Sequence, residues 1–220
     1  MKKIIGLTIA ALLVVGLVGG ATWAYFSDVE TSSDKTLTAG TLDLNMAGGD
    51  TDVKILTTNI DNVAPDDSGS DTCILANVGT LDGELDIAIS ATTNATNTTE
   101  DAENDQGTDT GGDLGGQALM VLWLDADESG TFNAGDIELN TTGANAYDAG
   151  TNPSLDKATI DSYGSVSYDE AFATLSASGG TNPAVTFTID WEVPAGTDNR
   201  IMSDSVSFDI TFTLEQANAD

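Results

Sequence analysis

"SVSFDITFTLE", residues 205–215, decides the fold class. Val206, Phe208, Ile210, Phe212 and Leu214 fall on one side of an extended chain, and Ser207, Asp209, Thr211, Thr213 and Glu215 fall on the other. Successive side chains of a strand point to opposite faces, so this alternation predicts a strand with one buried face. "AVTFTIDWEV", residues 184–193, repeats the rhythm with Val185, Phe187, Ile189, Trp191 and Val193 inward. Shorter runs are Leu42, Leu44 and Met46; Leu85, Ile87 and Ile89; and Thr72 to Val78. "ALMVLWL", residues 118–124, is apolar throughout, the pattern of a strand covered on both faces. Helical periodicity is weak, and "SLDKATIDSYG", residues 154–164, is the one place for a short helix. Short strands separated by Gly, Asn, Asp and Pro predict an all-β fold, an antiparallel jelly-roll or β-sandwich.

Residues 91–117, "ATTNATNTTEDAENDQGTDTGGDLGGQ", interrupt the strands, with Leu114 their only large apolar residue. Burial cannot offset the entropy of ordering such a stretch, so it reads as a long acidic surface loop. It carries acceptor sequons at Asn94 and Asn97, and a third follows at Asn140, each a glycosylation candidate on an exported chain.

The N-terminus has the layout of an export signal. Lys2 and Lys3 precede an apolar run from Ile4 to Val18, and small residues lead to Ala24. The expected cut lies between Ala24 and Tyr25, with Thr22 at the minus-three position. An uncleaved span is the competing reading, weakened by Gly16, Gly19 and Gly20. The predicted organisation is therefore a signal peptide over 1–24, an N-terminal segment over 25–36 and one domain over 37–220.

Charge and residue counts exclude several chemistries. The chain has 36 acidic and 6 basic residues, a net charge of −30, and loss of Lys2 and Lys3 makes it more negative still. Nucleic acid and anionic membrane surfaces are excluded as partners on electrostatic grounds. One cysteine, Cys73, cannot form an internal disulfide, and its apolar setting assigns it to packing. There is no histidine, which removes Ser-His-Asp triads, Cys-His pairs and His-ligated zinc sites.

"DADESGTFNAGD", residues 125–136, is the sharpest chemical motif. Asp125, Asp127 and Ser129 occupy positions one, three and five of a twelve-residue calcium loop. Gly130 stands at the turn, Thr131 offers a backbone carbonyl at position seven, and Asp136 closes the loop. Alternate side chains converge on a hard cation, so Ca2+ is the expected cofactor, with Glu138 positioned to assist. The loop departs from the EF-hand in its flanking strands and in Asp, rather than Glu, at position twelve.

"GGATWA", residues 19–24, followed by "YFSDVETSSDKTLTAGTLDL", residues 25–44, resembles the N-terminus of the TasA/camelysin family. The likeness continues in "NVAPDDSGSDTCILANVGTLDGELDI" (62–87), "WEVP" (191–194) and "DSVSFDITFTLEQ" (204–216). It implies cleavage by a SipW-type signal peptidase and a jelly-roll subunit that polymerises outside the cell into a pilus or biofilm-matrix fibre. The partners implied are copies of the chain itself, joined head to tail by donor-strand complementation. Tyr25, Phe26 and Val29 would anchor the donated strand. Unpaired sheet edges template added strands, and heterologous contacts that do not close generate filaments. Two other readings follow: a monomeric or lattice-forming calcium-binding surface protein or adhesin, and a camelysin-like protease. The second lacks the histidines of an HExxH pair.

Overall fold

The structure, a computed structural model, describes Ile5 and residues 40–46, 49–50, 53–95, 112–143, 145–146 and 155–216. The predicted signal peptide, its cleavage point, the donor anchors Tyr25, Phe26 and Val29, and Asn97 lie outside the described residues.

Thirteen strands are described: β1 (Leu44–Met46), β2 (Gly49–Asp50), β3 (Val53–Asp61), β4 (Ser68–Asn77), β5 (Gly83–Ile89), β6 (Thr93–Ala95), β7 (Leu119–Asp125), β8 (Ile137–Leu139), β9 (Asn145–Ala146), β10 (Ala158–Thr159), β11 (Ser167–Leu175), β12 (Ala184–Glu192) and β13 (Ser205–Gln216). They form two antiparallel sheets, ordered β2-β1-β4-β12-β7-β8-β9 with β10 on β7, and β11-β5-β13-β3 with β6 on β13. The chain is thus an all-β sandwich, as its alternation predicts.

The alternating sequences do the work expected of them. Along β13 the core side is buried at every second residue from Val206 to Leu214. Val185, Phe187 and Ile189 of β12 face it from the other sheet, and Phe187 meets Phe212 edge-on, 5.0 Å between ring centres at 73°. Such a pair adds about 1 kcal/mol beyond its buried area. β7 is buried from Met120 to Asp125, as its continuous apolar run predicts.

β4 runs further towards its N-terminus than its apolar residues indicate. Its pairing with β12 holds from Ala76↔Ala184 to Ser68↔Glu192, so backbone hydrogen bonding extends the strand through polar "SGSD". Gly69 belongs there because a Cβ would meet the Trp191 ring at 2.6 Å. Cys73 is partly buried against the core, and burial pushes its thiol up to about 11, as fits a packing role.

Two expectations are corrected. The long loop over 91–117 gives way at both ends: Thr93–Ala95 pairs with β13, and Leu114–Gln117 forms a helical turn, α1, with Leu114 fully buried. A single leucine in the core, clipped by Asn94 and Asp161, supplies the ordering that composition concealed. The short helix expected over 154–164 is instead the two-residue β10 followed by a 3-10 turn, Ile160–Tyr163. Ile160 and Tyr163, three apart and both buried, suit a three-residue period.

Candidate metal centre

The twelve-residue motif is the hairpin between β7 and β8. Leu124 pairs with Ile137, which brings Asp125 and Asp136 to the two sides of the hairpin base. Both are buried, at 2% and 0% exposure, while Asp127 is exposed. One carboxylate oxygen from each of the three lies within 4.8 Å of the others. The predicted ligands Asp125, Asp127 and Asp136 are therefore brought together.

Backbone amides hold the carboxylates in place. Asp125 accepts from Ser129 N–H at 3.1 Å and Gly130 N–H at 2.7 Å. Asp136 accepts from Ala126 N–H at 2.9 Å and Asn133 N–H at 2.7 Å. Asp127 accepts from Ser129 N–H at 3.1 Å. The turn depends on Gly130, whose φ of +76° is left-handed while a Cβ there would meet nothing within 4 Å. Backbone conformation, not space, demands glycine.

The remaining predicted ligands join the same ring. The Ser129 hydroxyl donates to the Thr131 carbonyl at 3.0 Å, so positions five and seven are adjacent. Sequence reasoning passed over Asn133 at position nine. Its amide nitrogen donates to Asp127 at 3.2 and 3.3 Å, to Ser129 Oγ at 2.8 Å and to Thr131 O at 3.1 Å. The signal was available, because position nine is a ligand position, often acting through water. Glu138, expected to assist, is not one of the grouped carboxylates; its Oε1 accepts from Asp156 N–H at 2.9 Å.

Electrostatics separates the members. Asp136 is held above the usual aspartate range, first by burial, then by Asp125 and Asp127, against the pull of its two amide donors. Asp127 is held below it, chiefly by the Ser129 side chain, with Asn133 and the Ser129 amide adding to the effect. The loop also seats Phe132 edge-on to Trp123, 5.7 Å between centres, and Trp123 Nε1–H donates to Asp190 at 2.9 Å. A packed floor therefore lies beside a ring of oxygen donors. Carboxylates, a hydroxyl and a carbonyl form a hard-oxygen set that fits calcium better than softer metals.

The sequons fare differently. Asn94 donates its amide nitrogen to Asp161 at 2.8 Å and accepts from Gly115 N–H at 2.8 Å, so a glycan on that nitrogen would compete with the clip that seats α1. Asn140 accepts from Thr142 N–H at 2.9 Å and Thr142 Oγ1–H at 2.7 Å, a local turn.

Comparison with known proteins places this chain. Over 82 residues it is 39% identical to the "Major biofilm matrix component" of Bacillus subtilis (strain 168), an alignment covering 37% of this chain and 29% of that protein. The chain thus spans under a third of the length of the relative it matches. A family described as "Camelysin metallo-endopeptidase" matches residues 1–129, more than half of the sequence, and the chain belongs to that family.

Proposed function

We propose that this chain is a structural subunit of an extracellular filament, assembling head to tail with copies of itself. The observation that carries the reading is that β3 is an edge strand among the described residues. Its pairing with β13 runs in unbroken register over nine residues, Asp61↔Ser205 to Val53↔Thr213, and it ends the sheet. The other edges among the described residues are less suited to strand addition: β2 and β9 have two residues each, and β11 is interrupted by register shifts. Long regular edges accept an added strand through main-chain hydrogen bonds. Residues 25–36 of a neighbouring copy, freed by SipW-type cleavage after Ala24, would supply that strand, with Tyr25, Phe26 and Val29 as anchors. The matrix role named for the Bacillus subtilis relative supports a structural, extracellular reading. A histidine-ligated peptidase site has no residues from which to be built here.

Calcium would be the stabilising ion of the loop, held by Asp125, Asp127, Ser129, Thr131 and Asp136. Turning the Asn133 amide by half a revolution would present its oxygen where its NH2 group now meets Asp127, Ser129 and Thr131. The ligand at position nine would then be in place.

Electron microscopy of the mature chain beginning at Tyr25, with calcium and with chelator, tests the proposal. Filaments are expected, and deletion of residues 25–34 abolishes them. Monomers throughout overturn the filament reading and leave a calcium-binding surface protein. Filaments that survive chelation confine calcium to local stabilisation.

A further inference from the structure

Between the outer face of the eight-stranded sheet and the 125–136 hairpin lies a half-open groove of about 470 Å3. That size falls within the range of small-molecule sites, roughly 300–1,000 Å3. Register sets its floor. Ser70 of β4 lies opposite Asp190 of β12, and Thr72 lies opposite Thr188, which on its other side meets Trp123 of β7. Thr186 of β12 lies opposite Asp125. Residues opposed across strands share a face, so the hydroxyls stand in rows, about 5 Å apart across the strands and about 7 Å apart along them. Phe132 of the hairpin is half-buried beside this floor, its ring at 82° to that of Trp123.

The polar groups of the floor are not spent on one another. The hydroxyls of Ser70, Thr72, Thr186 and Thr188 have no hydrogen-bond partner among the described residues. Asp190 accepts from Trp123 Nε1–H through Oδ2, at 2.9 Å, which fixes the carboxylate and leaves its second oxygen without a donor among those residues. Asp125, by contrast, is engaged by the Ser129 and Gly130 amides and belongs to the loop. The lining charges, Asp125, Glu128 and Asp190, are all negative, so an anionic ligand is repelled. A simple cation would be drawn to acidic groups anywhere on a chain of net charge −30 and has no use for rows of hydroxyls.

We propose that this groove binds a neutral glycan, with Asp190 and the hydroxyls of Ser70, Thr72 and Thr188 as its polar contacts and Phe132 as its apolar one. A sugar ring presents a C–H face and a rim of hydroxyls. The C–H face suits the negative π face of an aromatic ring, and the rim suits a fixed carboxylate acceptor flanked by groups that both donate and accept. Few side chains supply both needs at once, and here a strand grid and a hairpin residue bring them to one groove. The site does not depend on filament assembly or on an ion in the loop.

Calorimetric titration of the mature chain, in calcium-containing buffer, tests this with neutral tetrasaccharides of glucose, mannose, galactose and N-acetylglucosamine, and with tetragalacturonate and spermine as charged controls. At least one neutral sugar is expected to bind, and more tightly than tetragalacturonate. Phe132→Ala should weaken that binding about tenfold, and Thr72→Val, which removes one exposed hydroxyl and keeps the branched shape, about fivefold. Thr72→Val should melt with the parent, which separates lost binding from lost folding. Binding of none of the four sugars overturns the proposal, and spermine binding that falls with Phe132→Ala would then assign the groove to cations. Sugar binding indifferent to both substitutions, or matched by tetragalacturonate, overturns it as well.

Discussion

Two acidic regions of this molecule solve the same electrostatic problem differently. In the 125–136 hairpin, the buried Asp125 and Asp136 each receive two backbone N–H donors, and an asparagine amide sits among the remaining oxygens. On the outer face of the five-stranded sheet, register sets Glu84 directly opposite Glu215. A tight loop has free amides to aim at its carboxylates, whereas a strand spends its amides on the ladder. Acidic residues on a strand must therefore find water, protons or side-chain donors. Negative charge alone does not mark a site; the supply of donors distinguishes one region from the other.

The largest test of this contrast is Asp125→Ala. It strips the Ser129 and Gly130 amides of their acceptor and should cost about 3 kcal/mol in chelator, measured by denaturant unfolding. A cost near zero would mean that the amides find water easily and that the loop is not built around its carboxylates. Gly130→Ala should cost about 1–2 kcal/mol, because an L-residue must then hold a left-handed backbone. Unchanged stability would show the turn to be more plastic than its φ implies. Asn133→Asp should lower stability in chelator by about 1 kcal/mol, since an amide donor is replaced by a fourth carboxylate. The same substitution should tighten calcium binding in titration, and weaker binding would remove position nine from the ligand set.

The smallest effect is the pH dependence of Glu84→Gln. The folded-state value of Glu84 is raised, so its ionised form costs stability at neutral pH. That cost fades as pH falls through the folded value towards the ordinary 4.5. The melting advantage of Glu84→Gln in chelator should accordingly be full at pH 7 and vanish in the acid range. An advantage constant with pH would assign it to packing and collapse the contrast between the two regions.

Legibility in the sequence tracked the regularity of the backbone. β12 and β13 keep strict register, and their two-residue period was plain. β11 was hidden because its buried residues, Tyr168, Ala171, Phe172 and Leu175, are spaced three, one and three apart. That is helical spacing, produced here by a bulge that resets which face each residue takes. β3 was hidden because "VKILTTNID" has adjacent apolar residues and polar ones at Thr58 and Asn59. Its strand state follows from nine-residue pairing with β13.

In the candidate metal centre, motif spacing identified five oxygen-bearing positions, because loop geometry is local and recurs every second residue. Asn133 escaped notice because its role lies in contacts made across the loop, as did the engagement of Glu138 with Asp156.

By itself, then, the sequence determined the all-β class, the strongly acidic character, the absence of histidine and the converging carboxylates of the 125–136 loop. These rest on composition and on periods of two, which neighbouring residues express without help from the rest of the chain. Only the tertiary structure decided which strands stand at sheet edges, how β11 bulges, and that Glu84 is buried opposite Glu215. Each of those depends on pairing between residues far apart in sequence, and register between distant strands is set by the packed core.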